Sequence, residues 1–184
     1  MNIYEAIKTR RTVHQYEPEV LSDEQVKRIV ETGHYAPNHR LTWPWRFTLV
    51  GRQGREAIAE RAVELKSVGR ELTETQIEKI RAKVLNPGAL VVVSQITSAD
   101  DFQSKEDYAA VSCAIQNIAL AAHVEGLGSK WSTGGITRDD RTYEVTGIEQ
   151  DKEEIVGFIW IGVPDVIPEP PQRPDIQLVT RNIE

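Results

Sequence analysis

Residues 108–124 read YAAVSCAIQNIALAAHV, and this stretch decides how the rest of the chain can be arranged. Small residues alternate with valine, isoleucine and leucine, so a helix here is apolar on nearly every side. Such a helix must be covered on every side. In a chain of this size, full coverage predicts either a central core helix or the contact between two copies, and our hypothesis is that the helix is both. The glycines of EGLG at 125–128 predict the end of the helix.

Around that helix the sequence predicts strands and capped helices. Runs of β-branched and aromatic residues predict strands at 45–50, 89–96, 129–133 and 155–161. Ser22 and Thr73 are each followed three residues later by glutamine, which is the capping-box pattern of a helix start. Shorter apolar patterns predict helices at 3–7 and 57–65.

Composition excludes several classes of protein. The chain has 184 residues, with 22 Lys+Arg against 28 Asp+Glu and a net charge of −6. That charge argues against a nucleic-acid partner, because phosphate neutralisation requires clustered positive surface. The run at 108–124 is too short and too polar to cross a membrane. The first residues carry no charged-then-apolar leader, so we expect a cytoplasmic protein.

The C-terminal part of the chain is rich in proline, with prolines at 164, 168, 170, 171 and 174. Proline lacks an N–H and favours extended backbone. We therefore predict a domain at 1–163 and, at 164–184, an arm of the same domain that lies on a surface. A free tail is the alternative. The apolar Ile176, Leu178 and Val179 favour docking of the arm.

The sequence contains no motif for catalysis by side chains. It lacks a Walker-type loop and a Gly-x-Ser-x-Gly elbow. Its four histidines lack metal-ligand spacing to one another or to Cys113, so neither a metal site nor a catalytic side chain is predicted. Cys113 is the lone cysteine, which excludes a disulfide within the chain, and its place in the apolar helix favours a packing thiol. An enzyme with this sequence would need an organic cofactor.

Three segments could together form a binding site. Residues 10–12, RRT, offer two guanidinium groups and a hydroxyl to a phosphate monoester, or else form a basic helix end that complements the helix dipole. Residues 36–47, APNHRLTWPWRF, form a proline-stiffened loop suited to a planar heterocycle, or else a rigid turn whose tryptophans pack in the core. Residues 126–135, GLGSKWSTGG, let backbone N–H groups approach a ligand closely.

In this order, and with IVGFIWIG at 155–162 and Pro164, these segments resemble the nitroreductase family of FMN-dependent oxidoreductases, in particular its small members. The resemblance spans nearly the whole chain. It implies an α+β fold with a central, mainly antiparallel sheet flanked by helices. It also implies a homodimer whose long helices form the interface and hold two FMN molecules there.

The resemblance implies a set of residues that contact FMN: Arg10, Arg11, Thr12, Pro37, Asn38, His39, Lys83, Trp131, Ser132, Thr133, Gly134 and Arg173. Residues 10–12 would bind the phosphate and ribityl chain, completed by Arg173, and residues 37–39 would reach the flavin from the other subunit. Residues 131–134 would lie along the ring, and Lys83 would face N1 and the C2 carbonyl. For Lys83 a solvated helix face is the alternative, and for Arg173 a free surface charge.

The implied reaction is hydride transfer from NADH or NADPH to the flavin and then to a nitroaromatic, quinone or similar small acceptor, with ping-pong kinetics. The alternatives are the same fold with another flavin reaction, such as dehalogenation or dehydrogenation, a flavin-binding dimer without enzyme activity, or a helical interaction protein without cofactor. Leu41 and Trp43 stand where many members have amides, and Tyr35 where some have arginine. The substrate side of the pocket therefore departs from the family pattern.

Overall fold

A four-stranded antiparallel sheet forms the centre of the computed structural model, which describes residues 1–183. Its strands, in the spatial order β1-β2-β4-β3, are β1 (Trp45–Leu49), β2 (Ala89–Ile96), β4 (Glu153–Gly162) and β3 (Gly128–Ser132). The β2 and β4 strands are buried along most of their length, as continuous apolar runs predict for central strands. The four predicted strands and the α+β class are confirmed.

Within residues 1–183, six α-helices surround the sheet: α1 (Ile3–Thr9), α2 (Asp23–Glu31), α3 (Arg52–Ser67), α4 (Glu74–Leu85), α5 (Asp101–Val124) and α6 (Asp140–Thr146). The sequence did not predict α6, a short polar helix that begins at an Asp139 cap and ends at Gly147 with φ of 69°. The α5 helix also begins seven residues before the apolar run, at an Asp100 cap. None of the helices within residues 1–183 combines the length and the apolar character needed to cross a membrane.

The two predicted capping boxes have different outcomes. At Thr73 the box is complete, since its Oγ1 accepts from the Gln76 N–H at 3.3 Å and the Gln76 Oε1 accepts from the Thr73 N–H at 3.0 Å. At Ser22 only the hydroxyl half forms, because the Gln25 amide donates instead to Glu125 at 3.3 Å. The prediction of a complete capping box at Ser22 is therefore wrong, because the Gln25 side chain forms a hydrogen bond with the distant Glu125 and not with the Ser22 backbone.

Helices cover both faces of the sheet. On one face α2 and α5 pack around Val111, Ile118 and Ile159. On the other face α3 and α4 pack around Ile58 and Phe158. The strands therefore separate two apolar layers, and β1 and β3 remain as open edges of the sheet.

Within one protomer, α5 is covered on one side only. Ala114, Ile115 and Ile118 are buried against the sheet, which confirms the core role of the helix. Cys113 and Val124 are exposed on the opposite side. The packing thiol predicted at Cys113 is wrong for the single chain, because the sheet covers only the other side of α5. An apolar helix face is thus left without cover.

The proline-rich arm leaves the domain after Asp165, whose N–H donates to the Gln15 carbonyl at 3.1 Å. Residues 169–183 are all exposed. The apolar Leu178, for example, has 78% of its surface exposed. The arm therefore does not dock on its own domain, and docking elsewhere stays a prediction, as does the division at residue 164.

Candidate functional site

A cavity of about 240 Å³ lies between α5 and the edge strand β3. Its wall is formed by the segment after α1, by one side of α5 and by β3, with Arg10, Thr12, Ser112, Gln116, Ser129 and Trp131 among its residues. The sequence predicted Arg10, Thr12 and Trp131 as parts of one site, and the fold brings these three together.

Short-range contacts hold the segment after α1 against β3. Thr12 forms an isolated parallel bridge with Ser129, and the Val13 N–H donates to the Ser129 carbonyl at 3.0 Å. A Cβ atom at Gly128 would lie 2.6 Å from a Val13 methyl group, so only glycine permits this approach. Gly128 therefore helps to set the position of Arg10 and Thr12 at the cavity.

Positive charge accumulates at one end of the cavity. Burial, and then the charges of Arg11 and Arg173, lower the pKa of Arg10. Burial, and then Arg10 and Arg11, likewise lower the pKa of His123, whose Nε2 lies 2.8 Å from the Thr9 hydroxyl. Within residues 1–183 no carboxylate pairs with Arg10 or Arg173. Cations that repel one another and lack a counter-charge favour the binding of an anion.

The two adjacent arginines have different surroundings. Arg11 donates from Nη1 to the carbonyl oxygens of Lys8 at 2.8 Å and of Arg10 at 2.9 Å. It therefore serves the end of α1, in agreement with the alternative of a basic helix end. The Arg10 side chain makes no such contact in the described part of the chain and faces the cavity.

Ser129 is a site residue that the sequence analysis missed. Its Oγ is buried and has no hydrogen-bond partner among the described residues, although it lines the cavity. An unpaired buried hydroxyl is costly unless a ligand or water completes it. The available signal was its spacing, because Ser129 stands two residues before Trp131 and so shares its face of β3.

Trp131 forms one wall of the cavity and lies over Gly157 of β4. A Cβ atom at Gly157 would lie 2.3 Å from the indole nitrogen, so the glycine leaves room for the ring. Ser132 points to the opposite face of the sheet, where its Oγ accepts from Trp160 Nε1 at 3.1 Å. Thr133 and Gly134 follow β3 and are exposed. Of the predicted segment 131–134, the cavity wall thus includes the Trp131 side chain and not the Ser132 hydroxyl.

Lys83 lies on the other side of β3 from the cavity. It is exposed in the last turn of α4, and its charge helps burial to lower the pKa of Lys130. Lys130 alternates with Trp131 along β3 and so faces the α4 side. The structure therefore brings Lys83 to Lys130 at the open sheet edge, and not into the cavity with Trp131.

Residues 37–43 lie away from the cavity of their own chain, against the first turns of α5. His39 Nδ1 is 2.6 Å from Glu106 Oε1, and the Thr42 hydroxyl donates to Asp107 Oδ1 at 2.6 Å. Asn38 Oδ1 accepts from the Trp43 N–H at 2.7 Å. Pro37, Asn38 and His39 are therefore not brought together with Arg10 and Trp131 within one protomer.

The backbone of this loop is strained. Arg40, Leu41 and Trp43 have φ values of 61°, 53° and 48°, in the left-handed region that side chains of this size rarely adopt. Such strain persists only where surrounding contacts enforce it, and it is common at ligand sites. The Trp43 ring packs with His34 and Trp45, with centroids 5.9 Å apart in both pairs. Trp43 therefore does not narrow the cavity of its own chain.

Comparison with known proteins identifies the family. A model described as “Nitroreductase family” matches residues 7–163. “Putative NAD(P)H nitroreductase YfhC” of Bacillus subtilis (strain 168) is 33% identical over 174 residues, which cover 93% of this chain and 89% of YfhC.

Solved structures have the same fold. The nitroreductase-like family protein from Bacillus cereus is similar with a TM-score of 0.84 and 28% identity, over 100% of this chain and 97% of that one. A structure from Desulfovibrio desulfuricans, described as a complex with FMN, has a TM-score of 0.78 and 23% identity, over 100% and 99% of the two chains. The family model covers most of the sequence, and the fold agrees with it. We conclude that this chain belongs to the nitroreductase family.

Proposed function

We propose that the protein is a homodimeric, FMN-dependent oxidoreductase that takes electrons from NADH or NADPH and reduces small conjugated acceptors such as nitroaromatics and quinones. The observation that carries this proposal is Arg10, which lines a cavity walled by an indole ring. The nearby charges of Arg11 and Arg173 act on it, and no carboxylate within residues 1–183 pairs with it. The nicotinamide donor is supported by the name of the relative YfhC, which includes NAD(P)H. FMN is supported by the Desulfovibrio desulfuricans structure, which is described as a complex with FMN.

The residues at the cavity fit a flavin mononucleotide. Arg10 binds the phosphate from the cavity wall, with Thr12 next to it, and Arg173 completes the phosphate site from the arm. Each charge-assisted hydrogen bond contributes about 1.5–3 kcal/mol. Arg11, which already caps α1, adds positive potential. Preference for an anion in a chain of net charge −6 depends on this local cluster.

The other residues orient the ring system. FMN, when bound, supplies the ability to take up a hydride from a nicotinamide and to pass it to an acceptor. Trp131 provides an aromatic wall for a planar ring, and the unpaired Ser129 Oγ provides a hydrogen-bonding group. Lys83 and Lys130 supply positive charge at the edge of β3, which favours the reduced, more negative cofactor. Because one site serves donor and acceptor in turn, we expect ping-pong kinetics.

The exposed face of α5 supports the dimer. This face is continuous with exposed apolar residues of α1, of which Ile3 and Ile7 are 58% and 56% exposed. The loop at 37–43 contacts α5 at residues 103–107, whereas the cavity adjoins α5 at residues 112–119. Two α5 helices crossing antiparallel about a two-fold axis therefore bring the loop of one protomer to the cavity of the other. The arm at 164–183 then has the partner as the surface on which its apolar residues dock.

The test is an absorption spectrum of the pure protein reconstituted with FMN, recorded before and after anaerobic addition of NADH or NADPH. We expect one FMN per protomer and loss of the yellow absorption on addition of at least one nicotinamide. The matched variants are Arg10→Ala and Arg52→Ala, since Arg52 is an exposed arginine that pairs with Glu56. Only Arg10→Ala should lose FMN on gel filtration. A protein that takes up no FMN, or whose FMN neither nicotinamide reduces, contradicts the proposal.

A further inference from the structure

The His39–Glu106 pair joins the loop at 37–43 to α5. The His39 side chain is 65% exposed, and its Nδ1 lies 2.6 Å from Oε1 of Glu106, whose side chain is only 22% exposed. An ionised carboxylate can only accept, so Nδ1 carries the hydrogen and donates it. Nε2 is then the ring atom that remains open to a ligand.

Glu106 contributes little to the rest of the domain. Its Oε2 is buried and has no hydrogen-bond partner among the residues described. A carboxylate that leaves one oxygen buried and unpaired costs stability, which a merely structural contact would not justify. Its one side-chain hydrogen bond in residues 1–183 is with the His39 imidazole, whose orientation it fixes.

The backbone that carries His39 is held in place from several sides. The left-handed residues Arg40, Leu41 and Trp43 follow it directly in the loop. The Thr42 hydroxyl donates to Asp107, one residue after Glu106 on α5. The imidazole is therefore positioned on a strained and well-anchored loop, as preorganised functional groups are.

The charged groups around the ring come from two elements. On α5, Glu106 contacts the imidazole directly, and Asp107 lies one hydrogen bond away through Thr42. On the loop, Arg40 follows His39, and its guanidinium donates to Gln103 of α5 at 3.3 Å. The acidic partner in contact with the ring is thus Glu106.

We propose that His39 of one protomer is the proton donor to the acceptor bound at the cavity of the other, and that Glu106 is its positioning residue. This inference rests on the proposed function, because the antiparallel α5 contact is what brings the loop to that cavity. For a quinone, the balance is one hydride from the reduced cofactor and one proton from Nε2 of the imidazolium form of His39. These give the hydroquinone and leave a neutral ring with its hydrogen on Nδ1. Solvent then returns a proton to the exposed ring.

The experiment compares an acceptor that needs a proton, a benzoquinone, with one that needs none, ferricyanide. His39→Gln should lower the ratio of quinone to ferricyanide reduction rates by about 10²-fold, the lower end of general-acid effects. Glu106→Ala should lower the same ratio, while His34→Gln, a control histidine that accepts from Trp45, should leave it unchanged. The pH dependence of quinone reduction should disappear in His39→Gln.

A second readout needs no activity. NMR of the imidazole nitrogens in the flavin-free protein should find the neutral His39 ring protonated on Nδ1, and Glu106→Ala should move the hydrogen to Nε2. An unchanged rate ratio in His39→Gln, or a ring protonated on Nε2 in the wild type, overturns the inference alone. A wild type that FMN does not bind or nicotinamides do not reduce overturns the proposed function, and this inference with it.

Discussion

Arg55 and Arg10 are two partly buried arginines with opposite surroundings. Burial is the main cause that lowers the pKa of both. The Arg55 guanidinium donates to four backbone carbonyl oxygens between residues 84 and 88, at the end of α4. In the described part of the chain, the Arg10 guanidinium has no hydrogen-bond acceptor, and the charges that act on it are the positive charges of Arg11 and Arg173. The difference separates an arginine that holds the fold from one that is positioned for a ligand.

The largest effect is expected at the satisfied arginine. Arg55→Ala leaves several carbonyl oxygens at the end of α4 without a donor, and we expect it to lower the free energy of unfolding by about 3 kcal/mol. Arg10→Ala, which relieves repulsion among cations, should leave the stability of the flavin-free protein unchanged or raise it. Urea denaturation of both variants checks this. Equal losses in both would remove the distinction.

FMN affinity should respond in the opposite order. Arg10→Ala should weaken FMN binding by about 2 kcal/mol, or roughly 30-fold, because it removes a charge-assisted contact to the phosphate. Fluorescence titration with FMN measures the affinity. An Arg10→Ala protein that binds FMN as tightly as the wild type contradicts the assignment of Arg10.

Arg173 should have a weaker effect than Arg10, because it is exposed on an arm without cover from its own domain. We expect Arg173→Ala to cost about 1 kcal/mol of FMN binding. Arg181→Ala, also exposed on the arm, is the matched control and should change nothing. A loss at Arg181 as large as that at Arg173 would indicate a general effect of arm charge.

Lys83 extends the comparison to the other side of β3. Loss of its charge should lower the reduction potential of bound FMN by about 5–20 mV, the size expected for an exposed charge pair and a two-electron couple. Lys79→Ala, one turn earlier on α4 and also exposed, is the control. Spectroelectrochemistry of the two variants decides the matter. An unchanged potential at full FMN content removes Lys83 from the mechanism.

The smallest effect concerns His123. Its pKa is held below 6.5 by burial and by Arg10 and Arg11, so the unfolded chain binds the proton first. Stability of the flavin-free protein therefore falls as the pH drops below about 6.5. The phosphate of FMN offsets the arginine charge, so this loss should be smaller in the FMN complex. Urea denaturation at several pH values, with His123→Gln as the control, measures it. The same loss of stability at low pH with and without FMN would contradict the binding of the phosphate next to Arg10 and Arg11.

The sequence predicted what depends on local patterns and missed what depends on distant contacts. Apolar runs were enough for the four strands and for α5, and local capping was enough for Thr73. The Gln25 amide, by contrast, found Glu125, a partner 100 residues away. No local pattern could indicate that choice.

The candidate site divides in the same way. The motif at 10–12 indicated an anion site but not that Arg11 caps α1 while Arg10 faces the cavity, because that choice follows from the direction of the chain after the helix. Ser129 was missed because its significance comes from a buried, unpaired hydroxyl. The exposure of Cys113 was missed because the sequence predicts an apolar helix but does not indicate which side of that helix packs on the sheet of its own chain.

The most direct test of the central claim, that the arginine cluster at the cavity binds the FMN phosphate, compares FMN with riboflavin in wild type and Arg10→Ala. The two ligands differ only in the phosphate group. The wild type should prefer FMN by about 10²-fold, and the variant should lose most of that preference while its affinity for riboflavin stays the same. Equal affinities of the wild type for both ligands, or the same preference in Arg10→Ala, would contradict the account.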